Sequence, residues 1–394
     1  MKKTNPYRPG AGLMPTYVAG REDDIAYVDE IYSALSAGIP TQSLIFFGLR
    51  GVGKTVLINR LQALAEEQGF FSRYIEIEEK KDFISQIASC AQIFLRESSV
   101  KEKVKKLVQK GMDAVKALSL SFDPENGSFS VSMQERELYR SYNLTQSLSD
   151  VFIAVGEVAQ KCERPVCFFV DEIQYMRQEE LGAMISALHR SNQLGYPLIV
   201  IGAGLPKIFK MLSDEKSYAE RLFVYREIGN LNAEETKAAI TTPAEKVGVI
   251  YEEAAVEKIA GVTKGYPFFL QQFCQLAFQR SEGGHITLQD VEDTIDLYYR
   301  TLDDGFYKAR YERCSDMEKT FTYAMAKCGP PPCEIGAIAS TLNKKATSIS
   351  TYRAQLINKG IIYAVRHSEL DFTVPEYDGF LKRRPEYRAW MEQV

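Results

Sequence analysis

Five short apolar runs punctuate the first 230 residues: Leu44–Phe47, Tyr74–Ile77, Val166–Val170, Leu198–Ile201 and Phe223–Ile228. Stretches with helical spacing separate them. Runs this short and this uniformly apolar suit strands buried on both faces, so the alternation predicts an α/β domain with a parallel sheet covered by helices. Between the second and third runs lie about ninety residues, too many for a simple crossover. This insertion, about 97–140, predicts a helix with Val100, Val104, Leu107, Gly111, Val115 and Leu118 on one face and Lys101, Lys105, Lys106 and Lys110 elsewhere. After it, Leu118, Leu120 and Phe122, and then Phe129, Val131 and Met133, alternate with serines around the turn signal Asp123–Gly127, which predicts a hairpin.

The pattern changes twice more. From Leu231 to about Leu302 it predicts helices only: Asn232 caps the first, Tyr251–Val262 and Pro267–Arg280 supply two, and Thr287 caps the fourth with Asp290 three residues on. The last ninety or so residues predict helices over Ser315–Lys327, Glu334–Leu342 and Thr347–Asn358, then strands Ile361–Val365 and Leu370–Val374. That is the order of a winged helix-turn-helix. The expected domains are therefore 1–230, 231–302 and 303–394.

Gly48 to Thr55 read G-L-R-G-V-G-K-T, with a strand predicted before them and a helix after. This is the context of a phosphate-binding loop. Glycines let the backbone N–H groups curl inward, and the helix N-terminus adds partial positive charge. Gly48, Arg50, Gly51, Val52, Gly53, Lys54, Thr55 and Val56 are the expected nucleotide contacts; Lys54 would reach the β- and γ-phosphates and Thr55 would offer its hydroxyl to Mg²⁺. The run Val166–Val170 ends in Asp171 and Glu172. A carboxylate leaving a buried strand beside such a loop can hold a Mg²⁺-bound water, the role expected of Asp171, while Glu172 would orient or deprotonate the attacking water. The expected cofactors are ATP and Mg²⁺.

Bulk properties exclude more than they assign. A net charge of −4 and a pI near 5.7 give no global pull toward nucleic acid or anionic membrane. Yet the C-terminal stretch carries Lys327, Lys344, Lys345, Arg353, Lys359 and Arg366 against Glu334 alone. On the element that would enter a major groove, Lys344, Lys345, Thr347, Ser348, Thr351, Arg353 and Arg366 are candidate contacts to double-stranded DNA. The start of the chain has no apolar stretch after its lysines, and no run approaches the ~18 apolar residues of a membrane span, so a cytoplasmic protein without membrane contact is expected. Seven scattered cysteines fit reduced core residues. Cys162 with Cys167, and Cys328 with Cys333, are spaced too widely for a zinc knuckle, and His189, His285 and His367 stand alone.

Across nearly its whole length the chain resembles the AAA+-type P-loop ATPases of bacteria and archaea that are similar to the Orc1/Cdc6 replication initiators and border on the STAND signalling ATPases. The resemblance rests on V-A-G-R-E before the first strand, the G-L-R-G-V-G-K-T loop, F-F-V-D-E-I-Q, I-V-I-G-A-G-L-P, K-S-Y-A-E-R-L-F, G-Y-P-F-F-L and the terminal F-T-V-P-E-Y-D-G-F. It implies that Val18, Gly20 and Arg21 touch the adenine edge, that Pro267 stacks near the base, and that Arg221 is an arginine finger reaching a neighbour's γ-phosphate in a head-to-tail homo-oligomer. Gly202-Ala203-Gly204 stand where a polar sensor residue would end the fourth strand, and no arginine follows closely on Gly265-Tyr266-Pro267 in the helical region. Both departures imply slow ATP hydrolysis. Two functions are expected from this: a switch coupling ATP and ADP states to DNA binding, or a signalling or defence scaffold whose winged helix binds protein.

Overall fold

Five parallel strands organise the computed structural model, which describes residues 4–78, 82–99, 102–122, 143–215, 219–280, 284–366 and 368–393. They are β1 (Ser43–Phe47), β2 (Phe71–Glu76), β3 (Val166–Asp171), β4 (Leu198–Gly204) and β5 (Phe223–Glu227), in the spatial order β2-β3-β4-β1-β5. Every residue of β3 and β4 is buried. Their uniform apolarity thus marks central strands covered on both faces. β4 runs on through Gly202–Gly204, which pair with Ile45–Phe47. A side chain at Gly202 would begin 2.8 Å from the δ-carbons of both Ile173 and Ile45, so only glycine lets the strand extend here. Because β4 lies between β1 and β3, the carboxyl ends of three strands converge.

The chain divides into two compact units, one of Gly20–Gly48 with Gly53–Ile228 and one of Met1–Ala19 with Leu49–Val52 and Gly229–Val394. In the first, helices Phe83–Ser98, Lys105–Phe122 and Leu144–Cys162 pack together beside the sheet. Gly111 is the close contact: a Cβ there would meet Leu95 at 2.9 Å and Ala154 at 3.4 Å. Val104, Val108, Val115 and Leu118 are buried, whereas Lys105, Lys106 and Lys110 face solvent. The first half of the expected hairpin is wrong, since Leu118, Leu120 and Phe122 belong to the helix. Five residues of alternation satisfy a helix as readily as a strand when the helical apolar spacing already runs into them. The expected partner strand, Phe129–Met133, falls outside the described residues, as do Val100, Lys101 and His367.

The second unit holds helices Ala233–Glu245, Glu253–Thr263, Pro267–Arg280 and Leu288–Thr301. Asn232 with Glu235, and Thr287 with Asp290, form reciprocal capping boxes. The region is not helices alone. Strand β6 (Ile250–Tyr251) pairs in parallel with β7 (His285–Ile286), which removes Tyr251 from its expected helix. Tyr7, near the start of the chain, is buried beside Tyr251 and Phe278, and its hydroxyl donates to the Ile240 carbonyl.

Further on, helix Asp316–Lys327, strand β8 (Cys333–Glu334), helix Ile335–Thr341, helix Ser350–Asn358 and strands β9 (Ile362–Ala364) and β10 (Glu369–Phe372) follow one another. The three strands form one antiparallel sheet, β8-β10-β9. Two more helices, Tyr377–Arg383 and Pro385–Met391, end the described chain. Among the described residues no helix is long and apolar enough to cross a membrane.

Candidate nucleotide-binding site

β1 delivers the chain into the loop, and the Gly48 amide donates to the Gly204 carbonyl at 3.2 Å, tying the loop's start to the end of β4. Gly51 and Gly53 adopt φ of 83° and 95°, left-handed values that a side chain would strain. Gly53 is the N-cap of helix Lys54–Glu67, whose first turn carries no acid to compete for an anion. Lys54 is buried, and its ammonium donates to the Gly48 carbonyl at 2.9 Å, which keeps the charge at the loop. Val52 is buried, and Val56 lies in the first turn of the helix.

The two motifs meet in space although 116 residues separate them: Thr55 Oγ1 donates to Asp171 Oδ2 at 2.6 Å. Tyr74, on β2, donates its hydroxyl to the same oxygen at 3.0 Å. Burial, with Asp171 and Glu172 nearby, pushes the Tyr74 phenol well above its usual range, so it stays a donor. The other Asp171 oxygen accepts the Glu172 amide at 2.8 Å. A threonine hydroxyl and an aspartate side by side fit Mg²⁺, which takes few protein oxygens and fills its shell with water and phosphate. Thr55 and Asp171 would hold it, and it would supply neutralisation of charge on the phosphates.

Glu172 adopts φ 53°, which turns its side chain off the strand direction. Its carboxylate accepts a hydrogen bond from the Gln174 amide nitrogen. Gln174 is buried, and its Oε1 accepts the Leu205 amide at 3.0 Å. This same oxygen sits 2.8 Å from where a Cβ on Gly204 would be. The polar group absent from β4 is therefore replaced in space by an amide reaching across from the turn after β3. Sequence reasoning missed both Gln174 and Tyr74; the only sign of Gln174 was its place three residues after Asp171 in F-F-V-D-E-I-Q.

Residues 17–201 match the family model of the AAA ATPase domain. With the loop, Asp171 and the strand order, this likeness gives the first unit a P-loop fold, and ATPase activity is a property of the family whose model it matches. A second model, a domain of unknown function (DUF8462), matches residues 304–381. No curated protein matches the chain. Among solved structures, the Walker-type ATPase of Pyrococcus abyssi is similar over 93% of this chain and 96% of its own, at 14% identity and a TM-score of 0.56. That likeness extends the shared fold across most of the length. Aeropyrum pernix Orc1, solved in complex with DNA, matches at 15% identity over 96% and 95% of the two chains, with a TM-score of 0.45. A Thermotoga maritima RuvB mutant matches at 15% over 95% and 100%, with a TM-score of 0.47.

Val18 and Gly20 are half-buried, and Arg21 is buried with Nη1 donating to the Gly20 carbonyl at 2.7 Å. Pro267 is the first residue of its helix and half-buried. Arg221 is exposed and pairs with no carboxylate among the described residues, while its carbonyl accepts Gln42 Nε2 at 2.6 Å. In the C-terminal region Lys344, Lys345, Thr347, Ser348 and Thr351 are all exposed. Arg353 is half-buried, with its Nε buried and unpartnered. Two charges of the basic stretch are engaged: Arg366 lies 3.6 Å from Glu369, and Lys359 bonds Glu318 at 2.6 Å. None of the seven cysteines is in a disulfide. Among the described residues no His, Cys, Asp and Glu side chains gather into a metal-binding group of three.

Proposed function

We propose that this chain is a slow ATP-hydrolysing switch whose nucleotide state controls DNA binding by a C-terminal winged helix. The observation that carries the nucleotide half is the 2.6 Å bond between Thr55 Oγ1 and Asp171 Oδ2, beside a loop of left-handed glycines. Lys54 and the loop amides bind the phosphates of ATP or ADP, and Glu172, held by Gln174, orients water. Val18, Gly20, Arg21 and Pro267 are assigned to the base, and Arg221 to a neighbour's γ-phosphate in a head-to-tail assembly. The exposure of Arg221 and its lack of a described acid partner support that assignment. The reading divides the chain into a nucleotide domain over 1–230, a helical lid over 231–302 and a winged helix over 303–394, in a cytoplasmic protein. Helix, strand, helix, helix and hairpin in one antiparallel sheet support the last of these. Exposed Lys344, Lys345, Thr347, Ser348 and Thr351 would meet DNA, with Arg353 and Arg366 at the edge of the contact.

A second reading, a STAND-like scaffold whose winged helix binds protein, is favoured by the pairing of Lys359 and Arg366 with acids, which thins the basic face. Lys54→Ala tests the shared nucleotide step. It removes charge-assisted hydrogen bonds of about 1.5–3 kcal/mol each, so calorimetry should detect no ATP binding, while Glu172→Gln keeps binding and loses hydrolysis. ATP binding by Lys54→Ala at parental affinity would refute the loop assignment.

A further inference from the structure

Six of the seven cysteines are buried; Cys328 is not. It caps the end of helix Asp316–Lys327, where its amide donates to the Met325 carbonyl at 3.2 Å. Five residues on, Cys333 opens strand β8 and is 4% exposed. Its thiol donates to that same Met325 carbonyl at 3.3 Å. One carbonyl oxygen therefore holds the backbone of the first cysteine and the sulfur of the second.

The four residues between them keep the two ends close. Gly329 takes a φ of 118°, which a side chain would strain, and turns the chain directly after Cys328. Pro330, Pro331 and Pro332 then fix φ through their rings, which stiffens the rest of the connection. Pairing with Leu370 of β10 pins Cys333 at the far end. The thiols are near enough to interact: burial first, and Cys328 second, push the Cys333 thiol up to about 11.

Access divides the chemistry between them. A small oxidant in solution reaches half-buried Cys328 and not buried Cys333. The Thr341 hydroxyl lies 3.4 Å from Cys328 Sγ and can donate to a thiolate there, offsetting the partial negative charge of the helix end.

We propose that Cys328 and Cys333 form a redox modification site, a thiol pair that hydrogen peroxide converts to a disulfide at the junction of helix Asp316–Lys327 and β8. The Cys328 thiolate attacks a peroxide oxygen, giving a sulfenic acid and hydroxide, and the proton released from the thiol turns the hydroxide into water. The Cys333 sulfur then attacks the Cys328 sulfur. The S–S bond forms, the S–O bond breaks, and hydroxide leaves with the Cys333 proton as a second water. Both thiols are oxidised and one peroxide is reduced. The disulfide takes Cys328 away from Thr341, the last residue of helix Ile335–Thr341, and Cys333 away from Met325, so oxidation is felt at the end of that helix and the start of β8.

Peptide mass tests it, because the tryptic peptide from Cys328 to Lys344 holds both cysteines and no others. The folded full chain is exposed to hydrogen peroxide, quenched, alkylated in denaturant and digested. The parent peptide should resist alkylation, weigh two hydrogens less than the dithiol, and take up two alkyl groups after reduction. This should precede oxidation of Met317, which is 37% exposed and reports the peroxide dose. Cys333→Ser should stop at a Cys328 sulfenic acid that dimedone captures, whereas Cys328→Ser should leave Cys333 fully alkylatable. A parent peptide that still carries two alkylatable thiols once Met317 is oxidised overturns the pair, as does irreversible oxidation of Cys328 with Cys333 left as a thiol. The parent measurement decides the matter even if neither variant folds.

Discussion

Gln174→Leu separates positioning of the catalytic carboxylate from nucleotide binding. The Gln174 side chain is buried and makes two bonds, one from its amide nitrogen to Glu172 and one accepted from the Leu205 amide. Leucine keeps most of the volume and deletes both. The Leu205 N–H is left without its acceptor, which costs about 1–3 kcal/mol for a buried group. Glu172 is only half-buried and can turn to water, so deleting its bond adds less. Urea unfolding should therefore place the variant about 2 kcal/mol below the parent. The bonds from Lys54 to Gly48 and from Thr55 to Asp171 do not run through Gln174, so ATP affinity should stay within about twofold, less than 0.5 kcal/mol. Steady-state phosphate release should fall by about tenfold or more, the cost of a base no longer aimed at its water. Unchanged turnover in a destabilised but folded variant would show that Gln174 is a packing residue and that its bond to Glu172 has no part in hydrolysis.

The other predictions address assembly and the C-terminal fold. If Arg221 acts in trans, mixing Arg221→Ala with Glu172→Gln should restore measurable ATPase activity, since a mixed interface carries one intact site; no recovery at any ratio removes the finger. Lys359→Ala strips the partner from buried Glu318, bonded at 2.6 Å, and should cost about 2–3 kcal/mol in urea unfolding at pH 7 because Lys359 is itself partly exposed. Burial alone would raise the Glu318 carboxyl, but Lys359 and the Ser315 cap outweigh it and hold it below its ordinary 4.5. Its contribution is thus present above about pH 4.5 and lost as pH falls through the lowered folded value, so the gap between parent and variant should narrow there. A gap independent of pH would show that the pair is not its source.

What the chain revealed in advance was what is contiguous. Gly48–Thr55, Asp171 and Glu172 announce themselves because strand, loop and acid follow one another in sequence, and Asn232 and Thr287 do so because a cap and its partner sit three residues apart. Contacts made across the sheet left no such trace. Tyr74 reads as an ordinary strand residue until β2 pairs with β3 and brings its hydroxyl to Asp171. Gln174 and Gly204 explain each other only once β4 is seen next to β3. Two-residue strands such as β6, β7 and β8 are too short for any periodicity, and Leu118–Phe122 fit two periods at once. The basic stretch looked uniform in sequence, whereas Lys359 is paired with Glu318 from an earlier helix and Arg366 lies beside Glu369 three residues on.

The central claim, that ATP state governs DNA binding through the C-terminal face, is tested most directly by a salt titration of DNA affinity with and without ATP. The parent and a triple substitution of Lys344, Lys345 and Arg353 to Ala should be compared on the same duplex. The account predicts that ATP changes the parent's affinity, and that the triple variant flattens the log–log salt dependence by about 0.9 for each DNA phosphate it no longer neutralises. On a chain with a net charge of −4, little nonspecific attraction can mask the effect. Equal affinities and equal slopes for the two proteins, in both nucleotide states, would contradict it and leave the protein-binding scaffold as the reading that fits.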